Sequence, residues 1–101
     1  MIQQNNYQIG GNDQVVEIDE SLVAKRKYHQ GHFVPERWIF GGICPASGRG
    51  FLVQVPDRTA AILLPIIQQR IAPGSTICSD MWAAYNGIAN LPGPFPYTHM
   101  T

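Results

Sequence analysis

Two acids set beside apolar residues suggest the chemistry open to this chain. Asp19 lies in VVEIDES (Val15 to Ser21), a run that otherwise reads as a half-buried β-strand, and Asp80 follows the short apolar run STICS at residues 75–79. On a strand successive side chains alternate faces, so Val16 and Ile18 point one way while Val15, Glu17 and Asp19 point the other, and Glu20 points away from Asp19. An edge strand with solvated acids is the ordinary explanation of such a pattern. Acids are otherwise kept in a strand when they are paired or bind a metal. Two carboxylates brought together repel unless a cation lies between them, and hard divalent ions such as Mg²⁺ take oxygen ligands. Asp80 has a second reading as a helix cap, because Ser79-Asp80 precedes the helix-like DMWAAYN, and the two roles are compatible.

The charge distribution is more informative than its sum. Lys plus Arg and Asp plus Glu number seven each, so no global field draws the chain to nucleic acid. The acids Asp13, Glu17, Asp19 and Glu20 are followed by Lys25, Arg26, Lys27, His29, His32 and Arg37, interrupted only by Glu36. Such a run is most often a solvated surface. If the turn after the first strand carries it to the rim of an Asp19–Asp80 metal site, Lys25, Arg26, Lys27 and Arg37 would meet a phosphate backbone held there. Two ions about 3.5 to 4 Å apart that stabilise an in-line displacement at phosphorus make DNA phosphodiester chemistry the fitting class. Trp38, Trp82 and Tyr85 could stack on bases, although aromatic residues at strand and helix spacing are more often core.

Elements that could bring these residues together follow from the hydropathy pattern. Residues 1–13, with a Gly-Gly break, read as a flexible lead-in, and the folded part starts near Gln14. RWIFGGIC (Arg37 to Cys44) and GFLVQVP (Gly50 to Pro56) are β-rich and joined through a tight Ser-Gly turn, which predicts an antiparallel meander with the first strand. Ala60, Leu63, Leu64, Ile67 and Ile71 recur at helical spacing, with Asp57 or Thr59 as cap and Pro73-Gly74 as stop. Pro65 predicts a kink or a later helix start. STICS predicts a strand, DMWAAYN a helix stopped by Gly87, and YTHMT a further strand. The result is an α/β class with β-β-β-α-β-α-β order. A crossover laying the STICS strand parallel to the first gives a ribonuclease H-like mixed sheet in which Asp19 and Asp80 end adjacent strands.

Composition bounds the rest. The 101 residues, 45% hydrophobic, suffice for one domain with a modest core. No apolar run reaches the roughly 20 residues of a membrane span and no leader opens the chain, so the expectation is an intracellular protein with no membrane partner. That means the cytoplasm of a prokaryote, or the nucleus in a eukaryotic host. Cys44 and Cys78 lack metal or redox spacing and read as buried thiols.

The blocks VEIDES and KRKYHQGH, then RWIFGGI, VPDRTAAILLPIIQQRIAPGSTICSDMWAAYNGI and YTHMT, resemble the insertion-sequence transposases of the ISXO-like group, which carry a DDE-type catalytic core. The resemblance runs from about Val15 to the end, and several ordered blocks make it more specific than any single motif. It implies DNA transposition by a ribonuclease H-like domain with Mg²⁺ or Mn²⁺, a two-metal site in the complete domain, and transposon ends and target DNA as partners. It leaves room for a homo-oligomer in the complete protein. It places the first two catalytic and metal-ligating acids on Asp19 and Asp80.

The family's pattern continues past the YTHMT-like block with an Asn-His element and a later third catalytic position. This chain reaches Thr101 before either. The expectation is thus a partial ribonuclease H-like transposase catalytic domain over residues 14–101, incomplete at its C-terminus and inactive by itself. Residues 1–13 contain no Cys or His for the zinc ribbon common upstream in the family, and Met81 stands where a small residue is more usual. Two other functions compete: a domesticated, non-catalytic module that binds DNA or protein, and a self-sufficient nuclease of the same fold, which the lack of an acid after Asp80 disfavours.

Overall fold

Runs rich in β-branched and aromatic residues with alternating faces become strands, because such side chains pack well on a half-buried pleated surface. The computed structural model describes residues 7–24, 28–29, 32–33 and 37–101. Along the chain come β1 (Val15–Ala24), β2 (Tyr28–His29), β3 (His32–Phe33), β4 (Arg37–Cys44), β5 (Arg49–Val55), α1 (Ala60–Arg70), β6 (Thr76–Cys78), a 3₁₀ helix (Ala83–Asn90) and β7 (Thr98–Met100). The main sheet has five strands in the order β5-β4-β1-β6-β7. β1, β4 and β5 form an antiparallel meander, while β6 runs parallel to β1 and β7 parallel to β6. This is a small α/β domain on a mixed sheet. Among the described residues β2 and β3 pair antiparallel with each other, so the basic segment expected as a loop contains a short two-stranded sheet.

The β4–β5 turn closes through amides of Ser47 and Gly48 that both donate to the Cys44 carbonyl, at 3.2 and 2.8 Å. Gly48 has φ 74°, which glycine adopts without steric cost. α1 runs through Pro65 without a later start. Proline forfeits one helix bond there, and Pro65 and Ala61, the residue whose carbonyl loses the donor, are both exposed, so water can replace it. Thr59 is the N-cap but makes no side-chain cap bond. Instead Asp57 Oδ1 accepts from the Thr59 amide at 3.0 Å and its hydroxyl at 2.6 Å. Gly87 does not stop the second helical segment, which continues to Asn90 as 3₁₀. A Cβ at Gly87 would lie 3.0 Å from Leu64 Cδ1, so this glycine permits close packing against α1.

Both helical segments cover one face of the sheet. Leu63 and Ile67 of α1 and Tyr85 and Ile88 of the 3₁₀ helix join Val16, Ile18, Phe40 and Ile77 in one buried core. On the opposite face Val15, Ile43 and Leu52 are exposed. The lead-in expectation is corrected from residue 7 onward: Ile9 is buried and bridges Ile71 in parallel, with its amide on the Arg70 carbonyl and its own carbonyl accepting from Ala72. Ser75, fully buried, accepts from the Gly11 amide and donates to the Ala72 carbonyl. Gly10 makes this docking feasible, since at φ 85° a Cβ would come within 2.5 Å of Ser75 Oγ. An apolar residue that completes a core outweighs the flexibility suggested by its polar neighbours. No helix among the described residues is long and apolar enough to cross a membrane.

Candidate functional site

The site originates where the parallel ladder runs out. β1 pairs with β6 only at Val15↔Thr76, Val16↔Ile77 and Glu17↔Cys78. β1 then continues along β4 alone, through Leu22↔Trp38 to Ala24↔Arg37. Asp19 therefore lies in the middle of β1 and not at its end, because the long antiparallel partner extends the strand beyond the short parallel one. Continuing the β1–β6 register past Cys78 sets Asp80 level with Asp19. Oxygens of Asp19, Glu20 and Asp80 lie within 4.8 Å of one another.

Each acid is held differently. Asp19 is exposed, stands opposite Gly41, and accepts from the Glu20 amide at 2.9 Å through Oδ1. Asp80 is exposed, and its Oδ1 accepts from the Trp82 amide at 2.9 Å, a turn bond just ahead of the 3₁₀ helix. The cap reading and the clustered carboxylate thus coexist at Asp80. Glu20 falls on the core face opposite Phe40. Its side chain is 4% exposed, with Oε2 accepting from Arg58 Nη1 at 3.0 Å. Oε1 accepts from the Tyr85 hydroxyl at 2.5 Å.

The Arg58 guanidinium lies against two indoles, 3.9 Å from the Trp82 ring centre and 4.7 Å from that of Trp38. Trp82 Nε1 donates to the Arg58 carbonyl at 2.7 Å, fixing that indole. The aromatic residues considered as base platforms are thus used internally: two hold an arginine and Tyr85 is in the core. Burial first, then the hydrogen bond to Glu20 and the charges of Glu20, Asp80 and Asp19, raise the Tyr85 phenol far above its usual range. It stays protonated and donates.

An open groove of about 610 Å³ runs over the uncovered sheet face, with Asp19, Glu20 and Asp80 on its lining beside Gly41, Ile43 and Leu52. Glu17 also lines it but is outside the acidic cluster. Cys78 borders the groove and is half-buried, whereas Cys44 is fully buried and bonds Gln14 Oε1 at 3.2 Å; both are free thiols. Of the basic residues singled out, Arg37 is exposed at the start of β4, and Lys25, Arg26 and Lys27 lie outside the described residues.

Three carboxylates supply the all-oxygen donor set that Mg²⁺ or Mn²⁺ prefers, so the residues suit such an ion. Glu20 was missing from the sequence-derived pair, though a signal existed: an acid sharing the face of Val16 and Ile18 needs a partner. Compared with known proteins, the chain matches no family model, no curated protein and no solved structure.

Proposed function

We propose that this domain is part of the ribonuclease H-like catalytic core of a DDE-type transposase, contributing Asp19 and Asp80 to metal-dependent cleavage and joining of DNA phosphodiesters. The observation that carries the reading is the meeting of Asp19 in β1 with Asp80, two residues past its parallel neighbour β6, within 4.8 Å in an open groove. Strand order lends support: a central β1 flanked by an antiparallel meander on one side and two parallel strands on the other suits a ribonuclease H-like sheet. Mg²⁺ or Mn²⁺ would be held by Asp19 and Asp80, and when bound supplies charge stabilisation at a phosphorus undergoing in-line displacement. The chain does the positioning. Gly41, opposite Asp19, lets the Leu52 side chain lie close over the strand, since a Cβ there would come within 2.7 Å of Leu52 Cδ2. Lys25, Arg26, Lys27 and Arg37 are proposed to contact neighbouring phosphates.

The test is a gel-shift titration of a DNA duplex, with Ca²⁺ or Mn²⁺ and with chelator. Metal is expected to tighten binding, and Asp19→Asn or Asp80→Asn to remove that gain. Replacing Lys25 to Lys27 by Ala should lower the slope of log affinity against log salt by roughly 0.9 per lost contact. DNA binding indifferent to metal in all variants would favour the non-catalytic module, and no binding under either condition would overturn the proposal.

A further inference from the structure

We infer that the outer face of the two helical segments is a self-association surface, on which a second copy of this chain docks with its α1 antiparallel to the first about a two-fold axis at Pro65. The inference does not depend on the metal reading above. A helix on a protein surface normally sets charged residues toward water. Among the described residues none does so here. Of its seven Lys and Arg and seven Asp and Glu, the chain carries only Arg70 and Asp80 between Thr59 and Thr101. Neither belongs to the outer face: Arg70 is half-buried with its guanidinium 5.8 Å from the Phe51 ring centre, and Asp80 lines the groove of the uncovered sheet face. The exposed side chains of the helical layer include Ala61, Pro65 and Gln69 of α1 with Asn86, Ala89 and Asn90 of the 3₁₀ helix. Depletion of charge marks the centre of protein–protein interfaces.

A second copy is the occupant that this face fits. Uncharged residues give a nucleic acid no cation and a charged peptide no counter-ion, whereas a two-fold axis brings side chains near their own counterparts and so favours a face without charge. The hydrogen-bonding groups match as well. In the last turn of α1 every carbonyl has a donor: Ile67 accepts from the Ile71 amide, Gln68 and Gln69 from the Gln8 side chain, and Arg70 from the Ile9 amide. The Ala61 carbonyl has none within the helix, because Pro65 lacks an N–H. Gln69 is exposed, and its side-chain amide makes no hydrogen bond among the described residues. Ala61 precedes Pro65 by the same interval at which Gln69 follows it. With the helices antiparallel about Pro65, each Ala61 carbonyl therefore lies across from the Gln69 amide of the other copy, and the two-fold makes this bond twice. The same register sets Ile62 of one copy against the open depression of about 480 Å³ that Pro65, Ile66, Gln68 and Gln69 line on the other. A patch built around a helix about 16 Å long is at the small end of specific interfaces, so the dimer dissociates on dilution. The groove of the uncovered sheet face stays open in both copies.

The test is sedimentation equilibrium of the whole chain over a dilution series, with folding checked by circular dichroism. A monomer–dimer equilibrium is expected. Pro65→Glu and Pro65→Lys each set two like charges at the axis and should weaken association at least tenfold. Both substitutions return an N–H to the middle of the helix, so the fold is expected to hold. Mixed in equal amounts, the two variants should pair with each other and recover the dimer, a result that only a contact between copies at Pro65 produces. Leu52→Glu, on the opposite face of the sheet, should leave association unchanged. Should the Pro65 variants fail to fold, Ala61→Glu in the first turn of α1 decides, with the same tenfold loss expected. A dimer that folded Pro65→Glu and Pro65→Lys leave intact, one lost on Leu52→Glu, or a mixture of the Pro65 variants that stays monomeric overturns this interface. So does a wild-type chain that is monomeric at every concentration.

Discussion

On one face of the sheet Val16, Ile18, Phe40 and Ile77 lie beneath α1 and the 3₁₀ helix; on the other, Val15, Ile43 and Leu52 are exposed beside Glu17 and Asp19. Both faces are made by the same strands, and β1 sends two acids from consecutive positions, Asp19 and Glu20, to opposite faces. Asp19 reaches solvent and needs no counter-charge. Glu20, one residue on, enters the packed side and is neutralised by Arg58 and hydrogen-bonded by Tyr85. The two still meet because β6 ends at Cys78, leaving that flank of β1 without a strand neighbour where the acids stand. Alternation along a strand separates side chains cleanly only where both flanks are occupied. At a ladder's end, residues of opposite faces can share one opening.

The largest test of this contrast is a pair of truncations. Phe40→Ala removes a fully buried ring that lies 5.7 Å from Phe51 and 6.4 Å from Tyr85, centre to centre. It should cost about 3–5 kcal/mol in urea unfolding. Leu52→Gln, at a side chain 78% exposed, should stay within about 0.5 kcal/mol. A similar penalty at Leu52 would show that the open face is covered in solution, by association for instance.

Next in size is Arg58→Ala, which strands a buried carboxylate. Because Arg58 is itself 36% exposed, water will relieve part of the loss, and about 1–3 kcal/mol is expected. Adding Glu20→Gln should restore some of it, since the stranded charge is then gone. Additive losses in the double variant would show that the two side chains do not depend on each other.

The smallest expected effect concerns Asp57, at the turn into α1. Hydrogen bonds from Thr59 hold its carboxyl below the usual range. The folded chain therefore binds that proton less readily than the unfolded one, so the stabilisation is present above the ordinary carboxylate pKa and fades as pH falls through the folded value. Asp57→Asn should leave a slightly shallower acid limb in unfolding midpoints measured against pH. An unchanged limb would mean that the turn persists without the charge.

The meander and the crossover were legible from local pattern. β4 spans Arg37–Cys44 as the alternation of RWIFGGIC predicts, and the Ser47-Gly48 turn follows from its residues. The meeting of Asp19 and Asp80 was legible too, from face alternation plus a parallel fourth main strand. What escaped depended on distant partners. Ile9 looked like part of a polar tail because its neighbours are polar, and only the bridge to Ile71 gives it a core position. Gly87 looked like a stop signal because a glycine near a helix end usually is one, and its closeness to Leu64 is tertiary. Glu20 was read by face alone. Its connection to Arg58 crosses from β1 to the segment before α1, a distance that no window of local periodicity covers.

The contact of Arg58 with two indoles has an optical consequence. Trp38 and Trp82 are the chain's two tryptophans, and they are the two rings that flank this guanidinium. All intrinsic indole emission therefore arises at one corner of the molecule, with none from the α1 side of the core. An unfolding curve followed by that emission reports when the rings part from the arginine, while far-ultraviolet dichroism reports when the backbone order is lost. The two curves coincide only if corner and core unfold as one unit. Any offset between them measures how far the rim beside Glu20 can open while the sheet remains intact.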